Sequence, residues 1–200
     1  MENFYITISR QYGSGGREIG KGVALGLDIP FYDKELLSIA SEESGIDEEM
    51  FLKHDEKPSS SFFYSFATGG ASGGVTGLPI NHKLFLAQFD AIRQVAKKGS
   101  CVIIGRCADY ALEDFKNSLH IFIYADMEFK KERAKSYGEP EDKLTEIILK
   151  TDKRRASYYN FYSGKKWGLP ESYDLLINSG KLGIDGTISL ILDYARRRFK

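Results

Sequence analysis

Short runs of apolar, often β-branched residues alternate along this chain with longer stretches of amphipathic, helical periodicity. The short runs predict strands at Phe4–Ile8, Ile29–Tyr32, Cys101–Ile104, Leu119–Tyr124 and Leu175–Asn178. The longer stretches predict helices near Arg17–Leu27, Lys34–Ser44, His82–Lys98, Glu128–Tyr137, Asp142–Tyr162 and Asp185–Phe199. Strands that alternate with helices indicate an α/β fold built on a parallel sheet.

Polar residues mark several of the predicted helix ends. Asp33 precedes the second helix and Asn81 the third, so both are candidate N-caps. Gly99 follows the basic pair Lys97 and Lys98, which is typical of a helix C-terminus.

The junction between the first strand and the first helix carries a cluster of glycines. Bare backbone N–H groups at a helix N-terminus bind anions, so the cluster predicts a phosphate-binding P-loop. The candidate phosphate-binding residues are Gly13, Ser14, Gly15, Gly16, Arg17 and Glu18.

This loop departs from the usual P-loop ending, Gly-Lys-Ser/Thr. When the glycines are aligned, Gly16 stands at the lysine position and Arg17 at the position of the magnesium-binding hydroxyl. Arg17 supplies a fixed positive charge that can grip phosphate in a bidentate manner. Glu18 can serve simply by complementing the helix dipole.

Two more polar positions follow predicted strands at the edge where ligands sit in doubly wound sheets. Asp33 ends the second strand and is compatible with a ligand role as well as with a cap. Arg106 comes directly after the buried run Cys101–Ile104, and its charge must reach solvent or an anion. Asp109 either pairs with Arg106, faces a ligand or makes a helical salt bridge.

A basic, tyrosine-rich segment spans residues 150–168. It contains Arg154, Arg155, Lys165 and Lys166. Three interpretations stay open: an RNA-binding face, a lid that clamps phosphate, and a solvated amphipathic helix. We favour the lid, because the protein is neutral overall and already carries a P-loop.

Composition narrows the choice of partners. The chain of 200 residues has 28 basic and 28 acidic side chains, so no global field points to nucleic acid or to a membrane. Two cysteines without metal-ligand spacing suggest neither a disulfide nor a metal site. No leader pattern or membrane-spanning apolar run is seen, so we expect a cytoplasmic protein.

Residues 57–80 interrupt the alternation of strands and helices with a mixture of serine, glycine and aromatic residues. A plain linker would not need four aromatics. The segment is either a mobile lid that closes over a ligand or a loop that pairs with a second subunit, which would make a homodimer.

Several blocks together resemble the cytidylate kinase-like family, and more widely the P-loop nucleoside monophosphate kinases. These blocks are Ile6–Gly20, Phe31–Glu35, Val102–Asp109, Lys165–Gly168 and Tyr173–Asn178. The resemblance implies one P-loop kinase-like domain over residues 1–200 with a five-stranded parallel sheet. It also implies a monophosphate-binding insertion at 34–80, which includes the Ser/Gly/aromatic loop, and a lid at 138–168.

The same resemblance implies phosphoryl transfer from ATP, with Mg²⁺, to a nucleoside monophosphate such as CMP or dCMP. The P-loop residues would hold the donor phosphates, while Arg106 and Asp109 would serve the acceptor. The implied catalytic residues are Arg17, Asp33, Arg154, Arg155 and Lys165. The absent lysine would be replaced by Arg17, or by Lys165 or Lys166 closing from the lid, and Asp33 would hold the metal through water.

Two functional hypotheses therefore stand side by side. One is an ATP-dependent nucleoside monophosphate kinase, or a kinase for another small acceptor, with an altered P-loop. The other is a nucleotide or phosphate sensor that kept the fold and lost turnover, as the missing lysine suggests.

Overall fold

A parallel five-stranded sheet forms the centre of the protein. In the computed structural model, residues 2–56 and 78–200 are described. The strands are β1 (Tyr5–Arg10), β2 (Phe31–Tyr32), β3 (Cys101–Ile104), β4 (Ser118–Tyr124) and β5 (Leu175–Asn178). They are hydrogen-bonded in the order β2-β3-β1-β4-β5. The predicted α/β class is confirmed, and β3 and β5 have the predicted bounds.

Helices connect the strands and cover both faces of the sheet. They are α1 (Gly16–Leu27), α2 (Glu35–Ser44), α3 (Glu48–His54), α4 (Ile80–Lys98), α5 (Ala108–Ala111), α6 (Met127–Ser136), α7 (Leu144–Ser163) and α8 (Ser179–Arg198). Two 3₁₀ turns, Glu141–Lys143 and Pro170–Ser172, precede α7 and β5.

Alternating side chains of the strands divide the core into two layers. Ile6 and Ile8 of β1 face α1 and α8, where they pack in one cluster with Val23 and Ile191. Tyr5, on the opposite face of β1, packs in the cluster that includes α2 and α4. Both faces are apolar because a parallel sheet is covered by helices on both sides.

Two predicted helix caps are wrong. The N-cap of α2 is Lys34, and no side chain caps it, because the Asp33 carboxylate is held by arginines instead. The N-cap of α4 is Pro79, so Asn81 lies inside the helix. The predicted stop at Gly99 is confirmed.

Helix α3 was not expected from the sequence. Its N-cap Asp47 accepts a hydrogen bond from the backbone N–H of Glu49 at 2.7 Å, and Phe51 buries its face against the core. Residues 57–77, which contain most of the predicted lid or pairing loop, lie outside the described residues.

The last helix starts six residues earlier than predicted. The side chain of Asn178 caps it by accepting from Gly180 N–H, and the helix is broken at Gly183, with φ 70° and ψ 174°. None of the helices in the described ranges is long and apolar enough to cross a membrane.

Candidate active site

A cleft of about 770 Å³ opens where the carboxyl ends of β1, β2 and β3 meet the N-terminus of α1. Its walls carry Arg10, Gln11, Tyr12, Gly13, Gly15, Gly16, Arg17, Glu18, Lys21, Asp33, Lys34, Leu52, Asp55, Glu56, Arg106, Arg133, Tyr137, Arg154 and Arg155. Ligands of open α/β sheets bind at this edge. Eight of the lining side chains are basic, and four, Glu18, Asp33, Asp55 and Glu56, are acidic.

The glycine loop before α1 is tightly packed from behind. A Cβ on Gly13 would lie 2.6 Å from the backbone oxygen of Lys130, and one on Gly15 would overlap Ile184. Gly13 and Gly15 also have φ of 74° and 76°, which favours glycine. The loop conformation that brings backbone N–H groups to the helix N-terminus therefore depends on these residues.

Ser14 does not offer its hydroxyl to the cleft. The residue is fully buried, and its Oγ donates to the carbonyl of Gln11 at 2.8 Å. Its own carbonyl accepts a hydrogen bond from Ser179 Oγ at 2.6 Å. The backbone N–H of Ser14 also donates to the carbonyl of Gln11, at 3.3 Å. Ser14 thus fixes the loop to itself and to α8.

Asp33 joins the P-loop helix to β3 through two arginines. Arg17 Nε lies 2.7 Å from Asp33 Oδ2, and Arg106 Nη1 lies 3.0 Å from Oδ1. Arg106 Nη2 also pairs with Asp55 at 2.9 Å. The Arg106 side chain is 1% exposed. Two carboxylates and the carbonyl of Ile104 accept hydrogen bonds from its two terminal nitrogens, while its buried Nε has no hydrogen-bond partner among the described residues.

A second group of charges surrounds Glu56. Arg10 Nη1 donates to Oε1 at 2.6 Å and Nη2 to Oε2 at 3.4 Å. Arg155 Nε donates to Oε2 at 3.1 Å, and Arg155 Nη1 donates to the carbonyl of Arg10 at 3.1 Å. Burial would raise the pKa of Glu56, but Arg10 and Arg155 together hold it well below its usual value. Glu56 is therefore a buried, ionised carboxylate.

The opposite wall is built by α6 and α7. Arg133 pairs with Glu18 at 2.6 Å. Glu18 therefore makes an ion pair in addition to lying in the first turn of α1, where it complements the helix dipole. Asp152 accepts from Tyr12 N–H at 2.6 Å and pairs with Lys130 at 3.3 Å. Burial lowers the pKa of Arg155 to about 10, and Arg10 adds to the effect.

Arg154 and Arg155 are neighbours in α7 but differ in exposure. Arg155 is largely buried beside Glu56, while Arg154 is exposed and lies on the rim of the cleft. Among the described residues, Arg154 makes no ion pair. Of the two arginines, it is the one more accessible to an incoming anion.

Two expected site residues lie outside this cleft. Lys165 pairs with Glu113 at 3.1 Å, away from the loop whose missing lysine it was expected to replace. Asp109 is buried and accepts a hydrogen bond from Tyr159 Oη at 2.5 Å, and burial raises its pKa. The pairing of Asp109 with Arg106 does not occur, because Asp33 and Asp55 already occupy that guanidinium.

Sequence reasoning missed Arg10, Asp55 and Glu56 as members of the site. Arg10 ends β1 directly before the glycine loop, and a charge at the end of a buried strand was an available signal. Asp55 and Glu56 follow α3, whose Asp47 cap and acidic first turn were also visible in the sequence. Their meeting with Arg10 and Arg106 depends on tertiary structure.

The fold and the glycine loop define a P-loop-type kinase architecture, and comparisons agree. A family model for the cytidylate kinase-like family matches residues 5–181. The chain belongs to this family, as the sequence resemblance indicated. A comparison with curated proteins found no match.

Two solved structures are similar to this chain over nearly its whole length. The crystal structure of an uncharacterized protein from Eubacterium ventriosum is 30% identical, with a TM-score of 0.72 over 96% of this chain and 98% of that one. Shikimate kinase from Bacteroides thetaiotaomicron is 16% identical, with a TM-score of 0.56 over 96% of this chain and 98% of that one. The second likeness concerns the fold alone.

Proposed function

We propose that this protein binds ATP in the cleft and transfers its terminal phosphoryl group to a nucleoside monophosphate of the CMP or dCMP kind. The observation that carries the proposal is the convergence of four arginines from three elements around the cleft at the glycine loop. Arg10 comes from β1, Arg17 from α1, and Arg154 and Arg155 from α7. Phosphoryl transfer depends mostly on positioning and on stabilising negative charge, which such groups supply.

Arg10 makes up for the lysine that the loop lacks. A Cβ on Gly16 would lie 2.5 Å from Arg10 Cβ, so the space where a side chain at position 16 would begin is filled by Arg10. Arg10 also lines the cleft, and we assign to its guanidinium the part of the missing lysine. This substitution supports an altered but cationic P-loop, rather than a loop that has lost its charge.

The proposal assigns the donor phosphates to the glycine loop with Arg17. Residues 34–80 would bind the acceptor, and residues 138–168 would act as the lid that brings Arg154 to the phosphates. Lys165 is not needed in this scheme. Arg106 and Asp109 would support the acceptor site indirectly, by holding the surrounding elements in place.

Magnesium accompanies ATP in kinases of this type, but the residues that the structure describes form no metal site made of protein side chains alone. The described residues contain no group of three or more His, Cys, Asp or Glu side chains placed to hold a metal ion. Asp33, the expected outer-shell ligand, directs both oxygens to arginines. We therefore assign to this chain only the binding and orientation of the phosphates.

The test is a panel of nucleoside monophosphates incubated with ATP and magnesium, with ADP release as the readout and ATP affinity measured in parallel by calorimetry. We expect ADP release that depends on a cytidine monophosphate. An Arg154→Ala variant should lose most of this turnover, because its side chain is free to reach the phosphates. Turnover without dependence on any monophosphate, or full activity of Arg154→Ala, would contradict the assignment.

A second function has its own supporting observation. Arg10, Arg106 and Arg155 are all engaged by carboxylates of the protein, and such an arrangement suits a protein that binds a nucleotide without turning it over. In that case the same assay gives tight ATP binding and no ADP release with any monophosphate.

A further inference from the structure

The carboxylate of Glu56 lies in a ready-made anion site. Three donors face it: the guanidinium of Arg10, the Nε of Arg155, and the backbone N–H of Arg106 at 3.5 Å. The side chains of Arg10, Arg155 and Glu56 are 13%, 14% and 9% exposed. Charge-assisted, forked donors of this kind bind carboxylate and phosphate with the same geometry.

Two glycines lie against Arg10 in this site, and a Cβ on either would collide with it. Gly105, with φ 66°, would place a Cβ against Arg10 Nη1 and within 2.5 Å of Glu56 Oε1. Gly16 on the other side would meet Arg10 Cβ. The site is thus formed between the phosphate loop and the end of β3, with one glycine from each.

We propose that Arg10, Arg155 and the Arg106 N–H form a binding site for a phosphate monoester, and that Glu56 occupies it in the absence of that ligand. The proposal rests on the proposed function, because it takes the incoming group to be a phosphoryl group of one of the two nucleotides. Glu56 is then an internal competitor whose carboxylate leaves when the phosphate enters.

The charges of the site favour a phosphate that replaces Glu56 over a phosphate that binds beside it. Asp33, Asp55 and Glu56 already match most of the positive charge of the surrounding arginines, and buried charges without partners are costly. A phosphate that entered beside Glu56 would place two anions on the same donors. A phosphate that replaces Glu56 keeps the arginines paired.

The position of Glu56 in the chain also suits exchange. Glu56 follows the C-terminus of α3 and has φ 50°. This left-handed backbone conformation is energetically unfavourable for a residue with a side chain. The ion pairs of Glu56 with Arg10 and Arg155 offset that backbone strain. Once a phosphate takes over the arginines, the residue is free to adopt an ordinary backbone conformation.

The experiment compares inorganic phosphate, CMP and ATP binding to the full chain and to Glu56→Gln, by calorimetry. If Glu56 competes for the site, the variant binds inorganic phosphate about tenfold more tightly or better, the size of a lost charged hydrogen bond. The nucleotide that gains a similar factor is the one whose phosphate uses the site. Glu49→Gln is the matched control, because Glu49 lies on α3 and pairs with Lys53 at the surface; its affinities should equal those of the wild type.

Weaker or unchanged phosphate binding by a folded Glu56→Gln protein overturns the proposal, because Glu56 would then only position the arginines. Absence of phosphate binding in both proteins overturns it as well. Hydrogen exchange of residues 48–56 in the wild type gives a second measurement that needs no variant. Phosphate should speed hydrogen exchange in these residues, because Glu56 leaves its site. Unchanged hydrogen exchange at saturating phosphate counts against replacement of Glu56 by phosphate.

The two proposals fail differently. If no monophosphate supports ADP release but Glu56→Gln still binds phosphate more tightly, the anion site stands and the kinase function does not. If ATP and CMP bind and react while Glu56→Gln gains nothing, the kinase function stands and the internal competitor does not.

Discussion

Arg106 shows how a single residue can hold several elements together. It follows β3, lies in a left-handed conformation with φ 54°, and pairs with Asp33 after β2 and Asp55 after α3. Its acceptor role, implied by the family resemblance, stays a prediction. The contacts that the structure gives it are to the protein itself.

We expect Arg106→Met to lower the free energy of unfolding by about 3–5 kcal/mol, because it leaves two carboxylates without their buried partner. Chemical denaturation measures the change. Arg197→Met, which removes an exposed pair with Asp193, is the control and should cost about 0–1 kcal/mol. Adding Asp33→Asn and Asp55→Asn to Arg106→Met should recover part of the loss; equal instability of the single and triple variants would speak against unpaired charge as the cause.

Arg17 is the residue of the glycine loop to which the proposed function assigns the donor phosphates. Its side chain is 52% exposed and begins in the first turn of α1. We expect Arg17→Ala to reduce ATP binding by about 1.5–3 kcal/mol, the contribution typical of a hydrogen bond to a charged group. Calorimetry with Arg197→Ala as the remote control measures it, and unchanged affinity would remove Arg17 from the site.

At the scale of elements, α8 shows how a helix can change direction next to a binding loop. Its first turn carries Ser179, which holds the carbonyl of Ser14 in the glycine loop. Its second part packs on α1 through Ile191. Gly183 joins the two parts, and its φ of 70° with ψ of 174° lies in a region that only glycine adopts readily.

We therefore expect Gly183→Ala to destabilise the protein by about 1–3 kcal/mol through backbone strain, although no atom lies within 4 Å of the added Cβ. Gly186→Ala, three residues later in regular helix, is the matched control, and it should be neutral or stabilising by up to about 1 kcal/mol. Thermal or urea unfolding compares the two. A loss of the same size in both variants would point to crowding rather than to φ.

At the scale of the whole molecule, pH acts through a histidine in the sheet. His120 of β4 contacts Thr7 Oγ1 of β1 at 2.8 Å. Burial lowers its pKa from the ordinary value of 6.5, although Asp109 and Asp174 act in the opposite direction. The folded protein thus binds a proton here less readily than the unfolded chain does.

Stability should consequently fall as the pH decreases through about 6.5, because protonation then favours the unfolded chain, and the fall ends once the pH is below the folded pKa. We expect a smaller loss between pH 7.5 and pH 5.5 in His120→Gln than in the wild type, measured by urea unfolding at both values. Parallel stability curves for the two proteins would show that His120 does not contribute.

The alternation of apolar runs and amphipathic stretches determined the α/β class, the five strands and most of the helices, because these patterns reflect local periodicity and burial of each face. The glycine cluster likewise located the loop between β1 and α1, since the conformation of that loop is encoded within a few residues. Helix α3 was missed because its single buried turn around Phe51 is too short for a clear period.

Only the tertiary structure decided what the charges do. Asp33 looked like a cap and Lys165 like a phosphate ligand from their neighbours in sequence, but arginines more than 10 positions away hold the first and Glu113 holds the second. Glu56 meets Arg10 and Arg155 across separations of 46 and 99 residues. Ion pairs form between the side chains that packed elements bring together. A local sequence pattern does not show which distant side chains these are.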